Sequence, residues 1–113
     1  MRGKKESAVV ESSGNVFRDL GFPNPERELL KAQLTLRIYQ AIKHRKLTQA
    51  AAGQILGIKQ PHVSSLMRGR SGSFSLERLM EFLNALGQDV EITVRPTKRG
   101  EGGVSVVLEE LRA

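Results

Sequence analysis

The apolar residues of this chain repeat with helical spacing over most of its length and change to alternation near its end. Leu30, Leu34, Ile38, Ala41 and Ile42 recur three or four positions apart, as on one face of a helix. They predict a helix over residues 25–45, roughly 20 residues and ~30 Å long. Asn24 is placed as its N-cap and Pro25 as its first residue, with Glu26 and Glu28 favourable at the positive end of the helix dipole. Leu29, Leu36 and Tyr39 lie off the main stripe. They form a second apolar edge suited to a dimer contact, to a protein partner or to packing beneath a neighbouring segment.

Residues 47–69, LTQAAAGQILGIKQPHVSSLMRG, hold two short helical patterns with a glycine at their joint, the shape of a helix-turn-helix. Thr48 can cap a helix from Gln49 to Leu56, because its hydroxyl can accept from a free N–H of the first turn. Gly57 fits the left-handed position just past the end. A second helix starts at Lys59 or Gln60, where Pro61 is tolerated because a first-turn N–H would lack a helical partner anyway. Leu47, Ala52, Ile55 and Leu56 are expected to meet Ile58, Val63 and Leu66 in a small core. That leaves Gln60, His62, Ser64, Ser65 and Arg68 outside, and it gives Gly53 a role in close helix approach.

Ser75 is expected to cap a third short helix, residues 76–86, with Leu76, Leu79, Met80, Leu83 and Leu86 as its apolar stripe and Gly87 as its stop. The period then becomes two. Val90, Ile92 and Val94 alternate with Glu91, Thr93 and Arg95, which predicts a strand over 89–95. A lone strand leaves its backbone unpaired. Three outcomes are open: a hairpin with residues 104–108 across the PTKRGEGG loop, pairing with the same strand of a second subunit, or a short helix over 106–111. At the other end, residues 1–14 read as a disordered tail. Residues 15–22 carry Val16, Phe17, Leu20 and Phe22, spaced to form a strap against the first helix or a peptide for a partner.

Charge adds a direction to this pattern. Residues 31–76 contain no Asp or Glu, yet they hold Lys31, Arg37, Lys43, Arg45, Lys46, Lys59, Arg68 and Arg70. The rest of the chain has ten basic and twelve acidic residues, so the whole excess of +6 lies on the helix-turn-helix and its lead-in helix. Neutralising phosphates and releasing counterions is what such a surface does. The loop 68–74, RGRSGSF, follows the second helix directly and is placed to touch a sugar-phosphate backbone; otherwise it is a flexible connector.

Here residues 47–69 resemble the DNA-binding domain of the XRE (Cro/CI-type) regulators: Thr48-Gln49 opens the first helix, Gly57 stands in the joint, Gln60-Pro61 opens the second helix, and Leu66 closes on Gly69. With its flanks the resemblance extends over residues 36–94, and it looks closest to the small regulators that include HigA-type antitoxins. It implies a mainly α, lambda-repressor-like bundle of four to five helices with a short C-terminal β-strand or hairpin. It implies that Gln49 holds a phosphate, that Lys59, Gln60 and Ser65 stand at base-reading positions, and that Arg68 lies near a backbone-contacting one. Lys59 stands where the family usually has a Ser or Thr cap, and Pro61 replaces a possible polar reader, so base preference does not transfer. On this reading residues 15–95 form the DNA-binding domain with its strap, and 96–113 a C-terminal loop with a strand or tail.

Composition excludes several chemistries. Cysteine is absent, which removes disulfides and thiolate metal sites and points to a reducing cytoplasm. No apolar run approaches the roughly 20 residues of a membrane span, and residues 1–13 lack the apolar segment of a signal peptide. His44 and His62 have no nearby carboxylates to complete a metal site, and Ser64 and Ser65 have no base or oxyanion device. No enzymatic activity, cofactor or metal is expected. The sequence therefore predicts a DNA-binding regulator, a repressor acting as a homodimer on an inverted repeat of double-stranded DNA. Lys46, Thr48, Gln49 and Arg70 would hold phosphates, Lys59, Gln60 and Ser65 would read bases, and Ser64, His62 and Arg68 would lie alongside. The alternative is an antitoxin of a HigBA-type pair that binds a toxin protein and autoregulates its operon. RNA binding is a third reading, weakened because the few aromatics, 4% of residues, are assigned to core or strap.

Overall fold

Each of the four helices among the described residues begins at a residue suited to that position. In the computed structural model, which describes residues 20–21 and 23–111, they are α1 (Pro25–His44), α2 (Gln49–Leu56), α3 (Gln60–Met67) and α4 (Leu76–Ala85). Thr48 caps α2 by accepting from the Ala51 N–H at 3.0 Å, and Ser75 caps α4 by accepting from the Arg78 N–H at 3.0 Å. Asn24 holds the N-cap position of α1 without a side-chain bond; its carbonyl accepts from the Glu28 N–H instead. Gly57 ends α2 in the left-handed region at φ 73°.

The core is one cluster to which all four helices contribute. Leu34, Ile38, Ala41 and Ile42 of α1 meet Leu79, Phe82 and Leu83 of α4 and the following Leu86, and Ala52, Leu56, Val63 and Leu66 close it from α2 and α3. α1 packs most extensively against α4, which together support the helix-turn-helix pair. Burying each large side chain contributes about 1.5–3 kcal/mol. Phe82, fully buried, is a core residue that the stripe read from the sequence left out.

Two placements, Ile55 and Lys31, differ from the sequence expectation. Ile55 is 36% exposed rather than in the core. In an eight-residue helix the inward direction is set by Ala52, Gly53 and Leu56, all buried, and Ile55 lies about 100° around the helix from it. Lys31 and Thr35 are buried on α1. Lys31 lays its stem along the helix and donates from Nζ to the Gly72 carbonyl at 3.4 Å, an amphipathic use of a long side chain. Thr35 is fully buried, and its hydroxyl has no hydrogen-bond partner among the described residues.

The C-terminal hairpin is not formed, nor is a fifth helix over 106–111: the described residues contain four helices and no strand. Residues 88–97 and 102–111 run without helix, turn or bend, and bends at 98–101 join them. No backbone group of 89–111 bonds another described backbone group. The glycine-rich connector between the two segments lacks the two-residue turn chemistry that would force a register. Val90 and Val106 pack against the core, while Ile92, Val94, Val104 and Val107 are 69–90% exposed. The expected tail over 1–14 and residues 15–19 and 22 of the expected strap lie outside the described residues; Leu20 is 68% exposed.

Candidate nucleic-acid interface

The joint between α2 and α3 is tight because Gly53 has no side chain. A Cβ there would stand 2.8 Å from the Ile58 carbonyl and 3.5 Å from Val63 Cγ2. The Gly57 and Ile58 N–H groups both donate to the Gly53 carbonyl, at 2.8 and 3.0 Å. This doubled bond turns the chain sharply and lets α3 begin after only three residues. Lys59 is the N-cap of α3 with no side-chain cap bond, so its ammonium stem is available to the surface.

The first turn of α3 presents Lys59, Gln60, Pro61 and His62, all exposed. Lys59, Gln60 and His62 line an open hollow of about 710 Å³ that also meets Ala50, Gly53, Gln54, Gly57, Ile58 and Phe74. The wall on the α2 side is made of small residues, so the groups that approach whatever fills the hollow are an ammonium, two amides and an imidazole. His62 is oriented from behind: its ring stands edge-on to Phe74 at 6.0 Å, and Phe74 stands edge-on to the buried Phe82 at 5.0 Å. The Arg78 guanidinium lies 4.7 Å over the Phe82 ring. Edge-to-face ring pairs of this kind contribute about 0.5–1.5 kcal/mol each beyond area. Gln54 and Phe74 were not singled out from the sequence; Gln54 stands one residue after the close-approach glycine and Phe74 ends the loop, but only the packing brings them beside α3.

The remaining expected residues divide around this hollow. Ser64 and Ser65 are half-buried, and Ser64 Oγ accepts from Arg68 Nη1 at 3.2 Å, so Arg68 folds back along α3. Thr48 is committed to its capping bond, and Gln49 beside it is half-buried. Lys46 is exposed in the turn after α1, with φ 57°. Arg70 is exposed beyond the far end of α3, its N–H donating to the Ser65 carbonyl at 2.9 Å. Of the ten residues expected to meet DNA, three therefore line the hollow, Ser64 and Ser65 lie further along α3, and five lie at helix ends and in loops.

The basic interval also divides. Lys31 tethers the loop after α3 through Gly72. Arg37 donates from Nε to Gln40 Oε1 at 3.1 Å, from Nη1 to Gln88 Oε1 at 2.9 Å and from Nη2 to the Glu109 carbonyl. Burial pulls the Arg37 guanidinium below its ordinary value, and the Glu109 charge opposes that pull. These two charges serve the fold, which leaves Lys43, Arg45, Lys46, Lys59, Arg68 and Arg70 exposed. Among the described residues no group of three or more His, Asp or Glu is placed to hold a metal ion, and no helix is long and apolar enough to cross a membrane.

A helix-turn-helix domain family matches residues 16–95, which include all four described helices and most of the first extended C-terminal segment. The chain belongs to the XRE-type helix-turn-helix family. A solved structure that carries the name of an XRE family transcriptional regulator superposes with a TM-score of 0.71 at 43% identity, covering 77% of this chain and 100% of its own. No curated protein matches the sequence. The identity places the relation well beyond a shared fold.

Proposed function

We propose that this member of the XRE-type family is a sequence-specific DNA-binding repressor that acts as a dimer on an inverted repeat. The observation that carries the reading is the exposed first turn of α3, where Lys59, Gln60 and His62 stand over a hollow that the small residues Ala50, Gly53 and Gly57 help to keep open. A helix presented in this way enters the major groove N-terminus first. Gln60 can pair with the donor and acceptor of an adenine, and Lys59 with the acceptors of a guanine. Lys46 and Gln49, before and at the start of α2, and Arg68 and Arg70, past the end of α3, would fix register on phosphates, which carry no sequence information. Ser65, half-buried, would contribute only at the groove edge. Residues 15–95 are the DNA-binding unit in this reading. Two copies related by a two-fold axis would place their α3 helices in successive major grooves about 34 Å apart, and occupancy of a promoter would repress it. Selection of bound duplexes from a random pool is the test: an enriched palindrome with half-sites about one turn apart is expected, and recovery of no motif sinks the reading.

A second reading is favoured by the edge of α1, where Leu36 is 48% and Tyr39 38% exposed. An apolar edge on a 20-residue helix would suit a protein partner, as in an antitoxin that masks a toxin and autoregulates the pair. Co-purification with the product of the neighbouring reading frame, lost on Leu36→Asp, is expected in that case. A neighbouring product that does not bind removes it.

A further inference from the structure

The two extended segments after α4 are the part of the fold that the DNA-facing surface does not use. They carry four exposed aliphatic residues on a backbone without bonds to other described backbone. An extended apolar segment whose backbone has no partner among the described residues is, like an open strand edge, a template for pairing with another chain, and stable proteins cover such edges or charge them. Arg37 ties both segments to α1, because the same guanidinium holds Gln88, which opens the first, and Glu109, near the end of the second. The stretch between these two points carries the exposed aliphatic residues.

We propose that residues 89–95 pair antiparallel with the same residues of a second copy of this chain, about a two-fold axis at Ile92, to form the ribbon that holds the dimer together. The inference rests on the dimeric reading above and names the surface that reading lacks. The self-complementarity of the segment points to a second copy. With the axis at Ile92, Ile92 faces Ile92, Val90 faces Val94, Glu91 faces Thr93, and Asp89 faces Arg95. All three apolar residues meet apolar residues on one face, and both ends of the ribbon gain an opposite-charge pair on the other. Slipping by one residue sets every apolar side chain against a polar one. An axis at Glu91 opposes two glutamates, and an axis at Thr93 sets Val90 against Pro96, which has no N–H for the ladder. One register is therefore preferred to its neighbours. Val90, packed on the core, joins the ribbon to the body of each copy.

The absence of cysteine from the chain makes the test direct. Under mild oxidation without DNA, Ile92→Cys is expected to give a disulfide-linked dimer, since directly opposed Cβ atoms lie about 4.5–5.5 Å apart, within bridging reach after small adjustment. Val90→Cys and Val94→Cys are each expected to stay uncrosslinked alone and to crosslink when mixed. Ile92 and Val94 are exposed, so those substitutions leave the core intact. Asp89→Arg or Arg95→Asp alone should raise the dimer dissociation constant by roughly tenfold, because each sets like charges at both ends of the ribbon; the double exchange should restore it. A protein that sediments as a monomer at tens of micromolar, or a dimer in which Ile92→Cys does not crosslink, overturns the proposal. A monomer that still selects a half-site sinks this inference and leaves DNA recognition standing. A crosslinked dimer that selects no DNA sequence does the reverse.

Discussion

Gln60 and Arg70 should fail differently when replaced by alanine. Gln60, exposed in the first turn of α3 over the hollow, reads a base in the proposed complex, so Gln60→Ala should relax discrimination at one position of each half-site by about 1–3 kcal/mol. Arg70 lies past the end of α3 and would meet only phosphate. Arg70→Ala should weaken binding to all sequences alike and lower the salt slope by about one per copy. Competition binding over a salt series separates the two. Gly53 makes a different demand. Alanine there would improve helix propensity by about 1 kcal/mol, yet its Cβ would meet the Ile58 carbonyl at 2.8 Å, a backbone atom that cannot swing aside. Overpacking of this kind costs about 1–3 kcal/mol, so Gly53→Ala should lower the urea midpoint and weaken DNA binding, because α3 must shift.

At the scale of elements, the two caps give a controlled comparison. Thr48 and Ser75 each accept from an N–H three residues on, at 3.0 Å, and either Thr48→Ala or Ser75→Ala should cost about 1 kcal/mol of stability. Only Thr48 stands beside the proposed phosphate contact at Gln49, so DNA affinity should fall further for Thr48→Ala than its stability loss explains, while Ser75→Ala should bind almost normally at temperatures where both are folded. Thermal melts paired with titrations at equal salt decide it. The turn between α1 and α2 carries the opposite trade. Lys46 holds φ 57°, a conformation that costs an L-residue about 1–2 kcal/mol. Lys46→Gly should raise Tm by a few degrees and lower DNA affinity, because it removes an exposed charge; unchanged affinity would take Lys46 out of the interface.

At the scale of the molecule, Arg37 links the helical body to the C-terminal segments. Arg37→Ala removes the bonds to Gln88 and Glu109 without touching α3, so the binding preference within one half-site should persist. What should change is geometry: with the proposed ribbon loosened at its root, operators with half-site spacing altered by one or two base pairs should be bound nearly as well as the preferred one. Binding measured over a series of spacings gives the result, and an unchanged spacing optimum would show that Arg37 sets no geometry. Arg37→Lys is not expected to rescue, since an ammonium cannot span three acceptors as a planar guanidinium does.

The sequence by itself determined the elements whose signals are local. Thr48, Gly57, Pro61, Ser75 and Gly87 mark helix ends through backbone conformation and hydrogen bonding within a few residues, and the stripes of α1 and α4 follow from a period of 3.6; all four helices were legible for that reason. The acid-free interval likewise pointed to a phosphate-facing surface. Tertiary structure decided what depends on distance across the chain. It turned Ile55 outward because Gly53 had already oriented α2 against α3, and it drew Phe82 into the core. It also set Phe74 behind His62 and gave Lys31 and Arg37, two of the eight charges in that interval, to loops more than 40 residues away. Alternation marked 89–95 and 104–108 as strand-forming, but alternation specifies a face and not a partner. Pairing is a long-range choice, and within one chain the ladder between the two segments does not form.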